Sequence, residues 1–414
     1  MMWTLVKKFN ELRELLKYKA RGLVRGDLTA AMDRKLGVPP PDKFAPTVRH
    51  GSCKMMTAAA CVRAFNNKSA TGTTHPMRYR TADATAAFLQ GKQPGGRSRY
   101  VRPPPGFRKF DRRGIPIVWL LVGNCYGTET APRVWFDSLL PTLLDPTGLN
   151  FTQSEVDPCY LYKIYAGGGR MDIGLYVDDA WAVDDAGPHA DADWDALCKI
   201  FKFTVQEEAK QFLNMNVTVI NEHTVKLSME AYILNMADES VPDWKSWSKL
   251  DTPGTDRLQK DYDAAHAERA AVNAARLKSY RTKVGKLIYT QPCVRADVAY
   301  CISRVSRAQT FPTEALEAHV DRIIVYLAQT AGLGVTFDGS IEGAGQMLAE
   351  SDSDWSVGHS TTGWVIYFGG AAVAFAAKRQ ACITMSSTEA ELVAASACAK
   401  EIVYYKTLAR EMGL

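Results

Sequence analysis

Two adjacent aspartates, Asp178 and Asp179, stand inside the apolar run Leu175-Tyr176-Val177-Asp178-Asp179-Ala180-Trp181. Like charges set side by side repel each other unless a cation neutralises them, and Mg²⁺ takes carboxylate oxygens as ligands. Divalent-metal chemistry is therefore open to this pair; a solvated Asp-Asp turn is the plainer reading. The element that must hold them is a hairpin. Ile173, Leu175 and Val177 lead in and Trp181 and Val183 lead out, so residues 171–183 read as strand, tight turn, strand with both carboxylates at the tip. A second candidate, Asp83, lies between alanine-rich flanks with no basic neighbour, where the plainer reading is a strand-end or capping aspartate.

The chain has 414 residues, enough for two or three domains, with 46% hydrophobic and 23% charged residues as in an ordinary globular protein. No apolar run is long enough to span a bilayer and the first residues lack the order of a signal peptide. The expectation is an intracellular chain, in cytoplasm or nucleus, with no membrane partner. The nine cysteines form no CxxC pair and no Cys/His cluster of zinc spacing, which favours free thiols. The net charge of +5 hides an asymmetry: residues 1–115 hold 24 Lys and Arg against 7 Asp and Glu, and the rest 26 against 38. A basic third joined to an acidic remainder suggests a polyanion-binding surface beside a metal-binding one; a solvated basic tail is the alternative.

Along the chain, residues 1–25 alternate basic and apolar positions, and Pro39-Pro40-Pro41 and Gly95-Gly96 mark loops. Residues 81–89 read as a strand running into a short turn or helix, 100–107 as extended because of their prolines, and 118–122 as a strand. Pro132 opens an amphipathic helix through Leu144. Helix is expected over 191–203, strand over 211–220, and helices over 261–289 and 313–327. The last 70 or so residues give strands at 346–350, 362–368 and 373–377, then a helix over 387–412.

Several of these segments, in order, resemble the polymerase region of a copia-type LTR-retrotransposon Pol polyprotein. They are Tyr18-Lys19-Ala20-Arg21, Lys43-Phe44-Ala45-Pro46-Thr47-Val48-Arg49, the block from Asp83 to Gly91, and the proline block at 100–107. Tyr126-Gly127-Thr128-Glu129-Thr130-Ala131-Pro132-Arg133-Val134-Trp135 and Tyr176-Val177-Asp178-Asp179 follow, and 281–307 and 351–414 continue the match. The resemblance implies an α+β fold: reverse-transcriptase fingers, palm and thumb with an antiparallel palm sheet, followed by a partial RNase H-like α/β domain. The implied divisions are 1–245 (fingers and palm), 246–340 (helical thumb or connection) and 341–414 (three strands and a helix).

The implied activity is that of an RNA-directed DNA polymerase. A primer 3′-hydroxyl attacks the α-phosphate of a dNTP while two Mg²⁺ ions, with Mn²⁺ as a substitute, stabilise the entering and leaving oxygens. By resemblance Asp83, Asp178 and Asp179 are the catalytic, metal-holding residues, and the partners are an RNA template and a DNA or RNA primer. Lys19 and Arg21 would bind the triphosphate, Phe88 would exclude a 2′-hydroxyl, and Tyr126 and Gly127 would floor the nucleotide pocket. The plainer readings are a solvated basic strand and a core phenylalanine. Gln211-Phe212-Leu213-Asn214-Met215-Asn216-Val217 sits where the family has a primer-gripping hairpin. Asn214 replaces the usual glycine and is comfortable at positive φ; Thr128 and Thr130 also depart from the family pattern.

In the RNase H-like segment Asp352 matches the first metal-binding carboxylate, with Asp354 as a nearby turn residue. Glu391 matches the second, because Ser386 and Glu389 fit a capping box that occupies Glu389. The family's third and fourth carboxylates have no counterpart before Leu414, so this portion is expected to be inactive as it stands. Two rivals remain: a catalytically silent relict that at most binds nucleic acid, and a metal-dependent nuclease using the same carboxylates.

Overall fold

The computed structural model describes residues 1–9, 15–35, 37, 42–71, 76–91, 99–166, 169–269, 271–356 and 358–414. The expected loops at Pro39-Pro40-Pro41 and Gly95-Gly96 lie outside the described residues. The alternating N-terminal segment pairs as an antiparallel hairpin, β1 (Met2–Phe9) with β2 (Leu15–Leu23), followed by α1 (Gly26–Lys35). Next come α2 (His50–Thr71), β3 (Arg78–Ala84), α3 (Ala87–Gln90), β4 (Arg99–Val101) paired with β5 (Trp119–Leu121), and α4 (Ala131–Leu144).

Four further strands are β6 (Thr152–Gln153), β7 (Tyr160–Ile164), β8 (Arg170–Tyr176) and β9 (Asp179–Asp184). After α5 (Pro188–Ile200) comes β10 (Phe203–Gln206). They build a six-stranded antiparallel sheet in the order β10-β3-β9-β8-β7-β6. The helix expected over 191–203 stops at Ile200 because Phe203 pairs with Ala84 on the sheet edge. The expected strand over 211–220 is two strands, β11 (Gln211–Phe212) and β12 (Met215–Asn221), split by Leu213 and Asn214 at φ 48° and 60°. Asn214 thus takes the left-handed conformation its residue type allows.

β13 (Thr224–Ser228) is followed by five helices: α6 (Glu230–Ser240), α7 (Arg257–Glu268), α8 (Ala274–Val294), α9 (Ala299–Ser306) and α10 (Glu314–Gln329). The alanine-rich 261–289 stretch divides at Arg269, left-handed at φ 43°, and restarts where the Asn273 side chain caps the Arg276 amide. β14 (Gly334–Asp338) returns to pair with β13, completing the sheet β11-β12-β13-β14. β15 (Leu348–Asp354), β16 (Thr361–Phe368) and β17 (Ala371–Arg379) form an antiparallel sheet covered by α11 (Ser387–Glu411).

The helix α2 had no counterpart in the sequence reading, and its burial explains why. It packs against strands of all three larger sheets and against α8 and α11, so every residue from Ser52 to Val62 is buried, Lys54 and Thr57 included. A helix enclosed all round shows no polar stripe to betray its period. The buried Lys54 ammonium has a measurable consequence. Lys54 Nζ donates to the Pro292 carbonyl at 3.0 Å and lies 4.3 Å from the Phe375 ring centre, and burial pulls it down to about 7. The unfolded chain then holds one more proton than the folded chain between about pH 7 and the ordinary lysine range, so this group's contribution to stability rises with pH there, by about 1.4 kcal/mol per pH unit. Lys54→Met should remove that rise. Urea midpoints of both chains at pH 7 and pH 9 check it, and equal slopes would contradict it.

Candidate active site

β8 and β9 form the hairpin that the apolar alternation predicts, with Tyr176 opposite Asp179 and Val177 and Asp178 making the turn. Val177 has φ 57°, a conformation that β-branched residues rarely adopt and that favours glycine at this turn position. Two contacts hold it: Trp135 Nε1 from α4 donates to the Val177 carbonyl at 2.7 Å, and the Ala84 amide donates to the Asp178 carbonyl, also at 2.7 Å. Strain kept in place by surrounding bonds commonly marks a functional turn.

Asp83 lies directly opposite Asp179 across β3 and β9, so both side chains share one face of the sheet. Ala82 and Ala84 on either side are buried while Asp83 is exposed, and Asp178 and Asp179 are half-buried. Asp83 and Asp178 form no ion pair with any described lysine or arginine. Above them sits Tyr126. Burial pushes its phenol up; Arg21 opposes this, while Asp178 and Asp83 push it further the same way, so one guanidinium and two carboxylates surround one ring. The Arg21 guanidinium lies 5.1 Å from the Tyr126 ring centre, and the Phe88 ring lies 5.3 Å away.

The N-terminal hairpin reaches this point through close backbone contact. Val24 N donates to the Tyr126 carbonyl at 2.8 Å, and Gly127 has φ +83° with Val24 O 2.2 Å from where a Cβ would stand. Only glycine fits there. Lys19 shares the face of β2 with Arg21, two residues away. Arg21 Nε is buried without a hydrogen-bond acceptor, a donor left for an anion.

Among the described residues no three His, Cys, Asp or Glu side chains gather as a ready cage for a metal. Mg²⁺ seldom uses such cages: it keeps water and binds through one or two carboxylates plus substrate phosphates. Asp83, Asp178 and Asp179 are a donor set of that kind, so the residues fit the ion.

The two RNase H-like candidates stand on the third sheet and its helix. Asp352 is exposed on β15 opposite Gly363, its Oδ1 accepting the Ser353 amide at 2.8 Å, and Glu391 is exposed on α11. Ser386 caps α11 as expected, accepting the Glu389 amide at 3.2 Å, while the Glu389 carboxylate accepts from Met385 N at 2.7 Å. Asp354 corrects the sequence reading. It is the last residue of β15 rather than a turn residue, because its carboxylate pairs with the buried Arg304 and accepts the Thr361 amide.

The reverse transcriptase (RNA-dependent DNA polymerase) family matches residues 1–241, more than half of the chain. The chain belongs to the reverse transcriptase family. It is 29% identical over 411 residues to the retrovirus-related Pol polyprotein from transposon TNT 1-94 of Nicotiana tabacum, covering 97% of this chain and 28% of that one. It is 26% identical to the corresponding polyprotein from transposon RE1 of Arabidopsis thaliana, covering 100% of this chain and 26% of that one. A putative transposon Ty5-1 protein of Saccharomyces cerevisiae is 26% identical and matched over its full length and 77% of this chain. The expectation of a copia-type retrotransposon Pol thus stands, and the chain spans little more than a quarter of the plant polyproteins it matches. Among solved structures, a foamy viral protease–reverse transcriptase in complex with double-stranded DNA is similar at a TM-score of 0.36 and 14% identity, covering 79% of this chain and 48% of that one. No helix of the described residues is long and apolar enough to cross a membrane.

The sequence reading missed the Trp135–Val177 bond, although Trp135 closes the block that begins at Tyr126. It also missed the stacking of Arg21 on Tyr126, for which only the motif order gave a signal.

Proposed function

We propose that this chain is an RNA-directed DNA polymerase that adds dNTPs to a primer 3′-hydroxyl. The observation that carries the reading is the cross-strand pairing of Asp83 with Asp179, beside Asp178, under the Arg21–Tyr126–Phe88 stack. Asp83, Asp178 and Asp179 would hold two Mg²⁺, which supply charge stabilisation at the entering and leaving oxygens when bound. Arg21, with its orphaned Nε, binds triphosphate oxygens, and Lys19 adds charge on the same strand face. Tyr126 and Gly127 floor the pocket. Phe88, half-buried against Tyr126, crowds the sugar where a 2′-hydroxyl would project.

In the same reading Asp352 and Glu391 are the carboxylates with which the RNase H-like unit would bind a metal. The test is incubation with an RNA template, a DNA primer and Mg²⁺, with and without dNTPs. Primer lengthening that requires dNTPs is expected; strand cleavage without dNTPs would instead support a nuclease.

Two quantitative expectations belong to this site. Phe88→Ala should raise the ratio of ribonucleotide to deoxyribonucleotide incorporation about tenfold or more, measured by competing each rNTP against its dNTP. An unchanged ratio would make Phe88 a packing residue only. Primer-template affinity should also fall steeply with salt, because the basic N-terminal third displaces counterions: neutralising about four phosphates gives a log–log slope of roughly −3.6. A slope near zero in an anisotropy titration would contradict binding through this surface.

A further inference from the structure

A cleft of about 620 Å³ lies where α7 and α9 meet the ends of β15 and β17, at the third sheet rather than the palm. Its wall carries more positive charge than its carboxylates answer. Arg304, nearly buried, is paired with Asp354. Arg307 bonds only neutral oxygens, Ser303 Oγ at 3.2 Å and Thr361 Oγ1 at 3.1 Å, and Arg379 meets no carboxylate among the described residues. Asp263, the other carboxylate on the rim, accepts two bonds from Gln259 Nε2 at 2.8 and 2.9 Å. Burial lowers the Arg307 guanidinium from its ordinary value and Arg304 and Arg379 lower it further, while Tyr262 and Asp354 oppose them.

The same cleft offers aromatic faces. Trp355 is half exposed, with its Nε1 donating to the Thr384 carbonyl at 3.3 Å, which fixes the ring edge and leaves a face open. Tyr300 lies under the Arg304 guanidinium at 5.1 Å, and Tyr262 stacks on His266. His359 is tied through Nδ1 to the Gln380 carbonyl and His266 through Nε2 to Arg269. One buried polar atom at the cleft is left over. Gln259 turns its amide nitrogen to Asp263, and its Oε1 is buried with no donor. A buried carbonyl in that state is costly unless something donates to it.

We propose that this cleft is a second nucleotide-binding site: Arg307 and Arg379 take a phosphate and the base stacks on Trp355. A phosphate beside an aromatic platform is how single nucleotides of a strand are held, and a free nucleoside monophosphate carries the same groups. The site shares no residue with the Asp83–Asp178–Asp179 face, so its test is separable from that of the polymerase reading.

The experiment is equilibrium dialysis of the full chain in EDTA with three probes: AMP, inorganic phosphate and a six-residue oligodeoxyadenylate. AMP is expected to bind about tenfold or more tightly than inorganic phosphate, the difference being the stacked base. Arg379→Gln, at an exposed strand end, and Trp355→Ala should each weaken AMP about tenfold. An oligonucleotide that binds about tenfold tighter than AMP and is weakened by the same two variants assigns the site to a strand; comparable affinities assign it to the mononucleotide. The proposal is overturned if wild type binds neither AMP nor the oligonucleotide, if AMP binds no better than phosphate, or if both variants bind AMP as wild type does.

Discussion

Asp83→Asn is expected to slow nucleotide addition about a thousandfold, the equivalent of about 4 kcal/mol of lost charge stabilisation, while leaving primer-template affinity within about twofold. The reason is positional. Asp83 is exposed between the buried Ala82 and Ala84, opposite Asp179 and with no basic partner among the described residues, so its removal breaks no packing and no ion pair there. The amide keeps the shape and loses the charge. If Asp83 and Asp178 hold the same ions, Asp83→Asn/Asp178→Asn should cost little more than either change alone, because residues acting as a unit are not additive. Rapid-quench measurement of single-nucleotide addition checks both statements. Near-normal addition by Asp83→Asn would remove this residue from the metal site.

Asp172→Ala is expected to have the largest effect on stability, about 3–5 kcal/mol. Asp172 is fully buried on β8 and accepts three bonds: Tyr160 OH and Arg170 Nε on Oδ1, both at 2.7 Å, and Arg63 Nη2 on Oδ2 at 2.9 Å. The two arginines reach on to the end of α11, Arg63 to the Met412 carbonyl at 2.9 Å and Arg170 to the Glu411 carbonyl at 2.6 Å. Truncating the carboxylate leaves both guanidiniums without their anion in the interior, and it loosens the last turn of α11 from the six-stranded sheet. The urea midpoint should fall and amide exchange in residues 405–412 should accelerate. A midpoint within experimental scatter of wild type would show that the network is worth little.

The elements that carry the site were the most legible ones. The 171–183 hairpin announces itself because a period of two is interrupted by two acids, and Pro132 marks the start of α4. The partners of these elements were less visible. No periodicity shows that Trp135 will reach the Val177 carbonyl, or that a valine will sit at φ 57°, since both depend on packing between distant segments. The break at Leu213–Asn214 was half legible: the residue type permits positive φ, and the pairing of Gln211 with Asn216 requires it. α2 was not read because burial on every face erases amphipathic patterning. Asp354 was misplaced because its stabilising partner, Arg304, is 50 residues away in the chain.

The most direct measurement is the rate of single dNTP addition to a primer on an RNA template, at saturating primer-template with Mg²⁺. It should compare the unaltered chain with the Asp178→Asn/Asp179→Asn double variant. The account predicts addition by the first, none by the second, and the same salt-sensitive binding by both. Addition by the double variant would contradict the placement of the metal site. Binding without addition by the unaltered chain would contradict the polymerase reading itself and leave a silent nucleic-acid-binding relict.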